Sequence, residues 1–146
     1  MALRTLPWQR FAAIGIIALL GACSQTRPPD APHPQIAWYK VHFDNDSSAI
    51  PSDGQGAIDD AALFLKQHPH SFATVIGKTD SVGGPDYNMH LSHQRADAVR
   101  DALVYDDKIP ADHVETRWTG EAHQDQQTGG GVAAAGNRVV DIAIHY

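Results

Sequence analysis

The chain has 146 residues, of which 42% are hydrophobic and 19% charged, with a formal net charge of −6 and a single cysteine. That length fits one ordinary domain, and the composition excludes disordered and collagen-like chains. The acidic balance disfavours nucleic acid and anionic headgroups as partners, and one cysteine excludes an internal disulfide.

The N-terminal stretch reads as a leader. Arg4 and Arg10 supply positive charge ahead of "FAAIGIIALL" (11–20), an apolar run too short to span a bilayer as a stable helix. "LGAC" ends in Cys23 and resembles the bacterial lipobox. That resemblance implies a signal peptide over residues 1–22, cleavage before Cys23, acylation of its thiol and new amino terminus, and export. An ordinary signal peptide cut nearby, leaving a free thiol, is the alternative. Ser24 in place of an aspartate points to the outer rather than the inner membrane. Loss of Arg4 and Arg10 leaves 9 basic against 17 acidic side chains, a net charge of −8, so membrane attachment has to come from lipid. An acylated Cys23 also removes the only thiol. Residues 23–36 then form a linker. "SQTRPPDAPHPQ" (24–35) carries Pro28, Pro29, Pro32 and Pro34. Extended at ~3.1 Å per residue, such a stalk reaches roughly 40 Å.

Residues 37–146 form the domain. "IAWYKVHF" (36–43) has the aromatic and β-branched content of a strand. "DNDSSAIPSDGQG" (44–56) is a turn-rich loop. "AIDDAALFLKQH" (57–68) spaces Ile58, Ala61, Ala62 and Leu65 as one helical stripe and meets Pro69. "SFATVIGK" (71–78) is a second strand. Pro85 suits the first position of a helix reaching about Tyr105. "HVETRWT" (113–119) and "RVVDIAIHY" (138–146) are two more strands. Between them lies "GEAHQDQQTGGGVAAAGN" (120–137), a long glycine-rich loop. One sheet with two helices on one face follows.

The second helix poses a question. At about 100° per residue, Asn88, Ser92, Arg95, Val99, Ala102 and Leu103 share one face. A cation on a core-facing stripe costs several kcal/mol unless it is satisfied. Helical side chains lean toward the N-terminus, so Arg95 points back to the loop that begins at Asp80. The two either form a structural salt bridge or flank a pocket for the opposite charges of one zwitterion.

Here "IGKTDSVGGPDYNMHLSHQRADAVRDAL" (76–103) resembles the signature of OmpA-like, peptidoglycan-associated domains: Gly77, Thr79, Asp80, Gly83, Tyr87, Asn88, Leu91, Ser92, Arg95, Ala96 and Val99 match it in order. "VHFDNDSSAI", "GE" (120–121) and "NRVV" (137–140) extend the resemblance over roughly residues 39–146. It implies an α+β fold of βαβαββ order, a single four-stranded mixed sheet with two helices packed on one face. It implies non-catalytic binding of peptidoglycan through the diaminopimelate of the stem peptide, with no cofactor. Asp80 is expected to take the ligand's ammonium and Arg95 its carboxylate. Asn88, Thr79, Asp46 and Arg138 complete the candidate site. Bonds to charged groups contribute about 1.5–3 kcal/mol each.

Two positions depart from the pattern. Lys78 stands where a histidine is usual; it either competes with the ligand's ammonium beside Asp80 or points to the sheet's other face. Val139 replaces a second arginine, leaving Arg138 without its usual neighbour. Other constellations lead nowhere. His90 and His93, and His68 and His70, lack the further ligands of a tetrahedral metal site. Ser92 and His93 point apart on a helix and make no nucleophile–base pair. Asp59–Asp60 and Asp106–Asp107 read as solvated helix-end charges. "TGGGVAAAG" (128–136) lacks the lysine and Ser/Thr of a phosphate-binding loop and is expected to be a mobile connection. The expectation is therefore an outer-membrane lipoprotein, its domain in the periplasm, tethering that membrane to peptidoglycan. The alternative is an OmpA-like adaptor for envelope proteins with weak or no wall binding.

Overall fold

The computed structural model describes residues 35–146; the leader, Cys23 and residues 24–34 of the expected linker lie outside them. Alternation in "IAWYKVH" produces β1 (Ile36–His42), with Ala37, Tyr39 and Val41 against the core. Helix α1 (Gln55–Gln67) buries the stripe its spacing predicts, Ile58, Ala61, Ala62 and Leu65. It stops ahead of Pro69, where the His68 ring Nδ1 lies 2.9 Å from the Phe64 carbonyl oxygen.

Strand β2 (Phe72–Gly77) leads through a glycine turn into α2 (Pro85–Asp101). Gly77 is required by close approach: a Cβ there would lie 1.9 Å from the Ser92 carbonyl oxygen, so only glycine lets α2 rest on β2. The second helix does not run regularly to Tyr105. Its α-helical part ends at Asp101, and a wider π turn follows over Ala102–Asp106, closed by the Asp107 N–H donating to the Ala102 carbonyl at 3.0 Å. This turn buries both Ala102 and Leu103. A short 3₁₀ turn, Ala111–His113, precedes β3 (Val114–Trp118), and another, Ala135–Asn137, precedes β4 (Val139–His145).

The chain thus adopts the expected α+β arrangement, two helices on a four-stranded mixed sheet. The strand order is β1-β4-β2-β3, so the last strand in sequence is inserted into the middle. β4 pairs antiparallel with both β1 and β2, while β2 and β3, joined through α2, are parallel. Val140, Ile142 and Ile144 join Val41, Val75, Ile58, Leu65, Val99 and Leu103 in the core. Fully burying one such side chain stabilises the fold by about 1.5–3 kcal/mol. Asp141 alternates to the opposite face.

Two poles result. The Gln35 N–H donates to the Tyr146 carbonyl at 3.2 Å, and the Tyr146 N–H donates back at 3.1 Å, so β1 starts beside the C-terminus. The loops after β1 and β2 and the start of β4 meet at the other end, about 23 Å away along a seven-residue strand.

The 120–137 connection is tied down, and its 128–136 stretch is not the mobile connection its glycines suggest. Ser81 holds it at three points: its Oγ donates to the Gly129 carbonyl at 2.7 Å and accepts from the Val132 N–H at 3.1 Å, and its carbonyl accepts from the Gly131 N–H at 2.9 Å. Asn137 bonds both backbone groups of Gln126, at 2.7 and 2.8 Å. Those ties come from single polar side chains that leave no periodic trace in sequence.

Candidate functional site

The second pole holds the charged residues. Gly83, at φ +96°, makes the turn that delivers Pro85 to the start of α2. Three turns on, Arg95 is completely buried. Its guanidinium donates from Nε to the Ser47 carbonyl at 2.8 Å, from Nη2 to that of Asp44 at 2.9 Å, and from Nη1 to that of Lys78 at 3.2 Å. It also lies 5.3 Å from the centre of the Phe43 ring, within cation–π range. A cation on the core-facing stripe is therefore explained: it binds the backbone of the β1–α1 loop and of the segment after β2.

Those acceptors are neutral. Three of the five guanidinium N–H groups are engaged, leaving two, one on each terminal nitrogen. Burial pushes the Arg95 pKa down to about 10, against the Asp80 charge, which holds it up. The group stays charged at neutral pH.

Asp80 is not paired with Arg95. Its Oδ2 accepts from Arg138 Nη1 at 3.0 Å and from the Ala134 N–H at 3.2 Å; its Oδ1 has only a long bond from the Val82 N–H, 3.4 Å. Arg138 also donates from Nε to the Phe43 carbonyl at 3.3 Å. So one oxygen of Asp80 is committed and the other is nearly free, while the Arg95 charge faces no carboxylate in salt-bridge range among the described residues.

Between these groups lies a cavity of about 360 Å³, lined by Asn45, Asp46, Asp80, Val82, Gly83, Tyr87, Leu91, Arg95 and Arg138. The Tyr87 hydroxyl donates to Asp46 Oδ1, and Asp46 itself sits at φ +53°. The cavity presents two carboxylates, two guanidinium groups and an apolar wall of Val82 and Leu91. Such a set suits a small zwitterion with an aliphatic stem: an ammonium against the free Asp80 oxygen, a carboxylate against the spare Arg95 N–H groups.

Four of the sequence-derived candidates, Asp46, Asp80, Arg95 and Arg138, line this cavity together. Thr79 and Asn88 are buried beside it without lining it. The Thr79 N–H donates to the Gly120 carbonyl at 2.9 Å, and Asn88 Nδ2 donates to Glu121 Oε2 at 2.6 Å. Asn45, Val82, Gly83, Tyr87 and Leu91 were not among the candidates. Helical spacing was the available signal for two of them, since Tyr87 and Leu91 stand one turn apart and lead toward Arg95. Cys23 lies outside the described residues.

Lys78 points away. Its Nζ lies 2.5 Å from Asp125 Oδ1 and 2.7 Å from Asp141 Oδ2, on the sheet face opposite the helices. The strand ends at Gly77, so alternation no longer ties residue 78 to residue 80, and the ammonium does not reach Asp80. Val139 is buried, and Arg138 alone supplies the pairing to Asp80.

The domain is similar to several known proteins. A protein named probable lipoprotein YiaD, from Escherichia coli strain K12, is 36% identical over 104 residues, 71% of this chain and 47% of that protein. A peptidoglycan-associated lipoprotein of Rhizobium meliloti strain 1021 is 38% identical over 65 residues, 44% of this chain and 37% of that protein. The chain spans under half the length of either relative. Among solved structures, the peptidoglycan-associated lipoprotein from Burkholderia pseudomallei superposes with a TM-score of 0.67 at 29% identity, covering 73% of this chain and 89% of that one. The OmpA family matches residues 42–138. Since that span runs from the end of β1 to Arg138 and takes in every residue around the cavity, the chain belongs to the OmpA family.

Proposed function

We propose that this domain binds peptidoglycan non-covalently through the diaminopimelate of the stem peptide and so tethers the outer membrane to the cell wall. The observation that carries the reading is the unbalanced cavity. A buried guanidinium leans on neutral carbonyls, and a carboxylate with a spare oxygen lines the same cavity. Diaminopimelate carries an ammonium and a carboxylate on one carbon, and this layout complements both. Asp80 would accept the ammonium, Arg95 the carboxylate, and Asp46 and Arg138 would flank them.

Three further points support it. The relatives named above include peptidoglycan-associated lipoproteins. Lys78 is engaged on the opposite sheet face and does not compete for Asp80. The cavity and the start of β1 lie at opposite poles of the described domain, so β1 begins away from the site. The chain is not an enzyme, in keeping with its family of structural binding proteins.

The signal peptide over residues 1–22, acylation of Cys23, the linker, expected over 23–36 although β1 already takes in Ile36, and attachment to the outer membrane are part of the same proposal, resting on "LGAC" and the leader. The anchor in this reading is the lipid on Cys23; among the described residues no helix is long and apolar enough to cross a membrane. Each grip need not be tight, because many tethered copies facing a repeating polymer raise the effective concentration. Sedimentation with purified sacculi tests the reading. The wild-type domain should pellet with the wall and Asp80→Asn should stay largely in solution; equal partitioning of both would overturn it.

A further inference from the structure

Outside the cavity, the most elaborate polar feature of the described residues is a cluster on the sheet face opposite the helices. Lys40 from β1, Lys78 after β2, Asp141 from β4 and Asp125 from the 120–137 connection form a closed set. Each carboxylate touches both ammonium groups: Asp125 bonds Lys78 at 2.5 Å and also Lys40, while Asp141 bonds Lys78 at 2.7 Å and Lys40 at 3.2 Å. Lys78 and Asp141 are largely buried in it, with side chains 14% and 7% exposed.

Three observations join this cluster to the cavity. Lys78 is bifunctional: its ammonium holds Asp125, while its own carbonyl accepts from Arg95 Nη1. Asp125 sits on the connection that supplies the Ala134 N–H to Asp80 and ends at Arg138, the guanidinium paired with Asp80. Finally, Asn137 ties itself to Gln126, the residue next to Asp125, so a displacement at Asp125 is passed to the segment beside Arg138.

We propose that Lys78 and Asp125 are positioning residues for the cavity, acting as a clamp that fixes the 120–137 connection so that Ala134 and Arg138 hold Asp80 in its receptive orientation. The proposal rests on the wall-binding reading of that cavity. It gives a role to the lysine that departs from the family pattern. The ammonium is not a competitor for the ligand but the far anchor of the wall on which Asp80 is held. Neither residue touches the ligand; both act through the connection.

The test uses a diaminopimelate-containing muropeptide and the full domain, with affinity and amide hydrogen exchange measured on the same samples. Asp125→Asn and Lys78→Met should each weaken binding by about fivefold, and the double variant should be no weaker than the weaker single, because the two act as one unit. The amides of Gly131, Val132 and Ala134 should lose protection while those of β2 and β4 keep theirs. Lys78→Arg should restore most of the affinity. Arg117→Met removes a cation from the same face outside the clamp and should change nothing. Wild-type binding with unchanged affinity in Asp125→Asn overturns the positioning role alone. Loss of affinity accompanied by loss of protection throughout the sheet also overturns it, since the clamp would then serve only overall stability. Absence of binding by the wild type overturns the wall reading, and the positioning role with it.

Discussion

The two charged regions of this domain solve the same problem in opposite ways. On the sheet face opposite the helices, two lysines and two aspartates cross-pair until each carboxylate bridges both ammonium groups. At the pole, Arg95 is more deeply buried yet is satisfied by backbone carbonyls, and Asp80 commits one oxygen to Arg138 and leaves the other almost free. A neutralised cluster offers nothing to a guest. A guanidinium held by neutral dipoles keeps its field directed into the adjoining cavity, and a carboxylate with a spare lone pair keeps an acceptor for a cation. The saturated region is therefore built for holding the chain, and the unsaturated one for receiving a ligand.

The strongest way to break this contrast is at Arg95. Arg95→Met removes the donor for three carbonyls of two segments, and each buried acceptor left unsatisfied costs about 1–3 kcal/mol. The variant should lose about 4 kcal/mol in urea denaturation and bind no muropeptide. Next is Gly77, whose backbone lies between the two regions. A methyl group there meets the Ser92 backbone, so Gly77→Ala should force α2 off β2 and cost about 3 kcal/mol, read as a lower urea midpoint. Asp80→Asn should act mainly on function. It should lower muropeptide affinity at least about tenfold while costing about 1–2 kcal/mol of stability through the half-buried Arg138 it leaves unpaired, and a titration with parallel melts separates the two.

Acid sharpens the comparison. Hydrogen bonds from Lys40 and Lys78 hold the Asp125 carboxyl below its usual range. Burial lowers the Lys78 pKa, but its bonds to Asp125 and Asp141 outweigh that and raise it. A depressed carboxylate stabilises the fold above its unfolded value near ~3.9, and that contribution disappears as pH falls through the folded value. A raised lysine contributes below its unfolded value near ~10.4 and loses it as pH rises through the folded one. The cluster should thus be fully effective from about pH 4 to 10. Melting curves across pH should show a smaller drop between neutral and strongly acid solution in Asp125→Asn than in the wild type. The smallest effect is expected at the cavity mouth. Tyr87→Phe removes one exposed hydrogen bond to Asp46 and should cost under about 1 kcal/mol, with at most a few-fold change in affinity.

Much of this was legible in the sequence, and for physical reasons. Helical periodicity placed Ile58, Ala61, Ala62 and Leu65 in the core and Arg95 on the inward face, because a 3.6-residue repeat fixes direction without knowledge of the partner. The partners themselves were hidden. Every residue carries a carbonyl, so nothing in the letters marks those of Asp44, Ser47 and Lys78 as the acceptors of Arg95. The pairing of Asp80 with Arg138 spans 58 positions and exists because β4 is inserted between β1 and β2, an order that local pattern does not encode. The glycines of 128–136 suggested a mobile loop. Its order comes from Ser81, Asn137 and Asp125, each an ordinary polar residue until the fold brings it to its mate. Lys78 shows the same limit: whether it faced Asp80 depended on where β2 ended, and strand ends are the least legible feature of a sequence.

Wall binding requires the cavity to accept both charges of one carbon, and the most direct measurement compares two stem peptides that differ only there. Backbone chemical shifts of the domain should be followed during titration with a diaminopimelate-containing peptide and with its lysine counterpart, which lacks the second carboxylate. Saturable shifts are expected at Asn45, Val82 and Gly83 with the first peptide, with little response to the second. Equal responses to both, or shifts confined to residues away from Asp80 and Arg95, would contradict it.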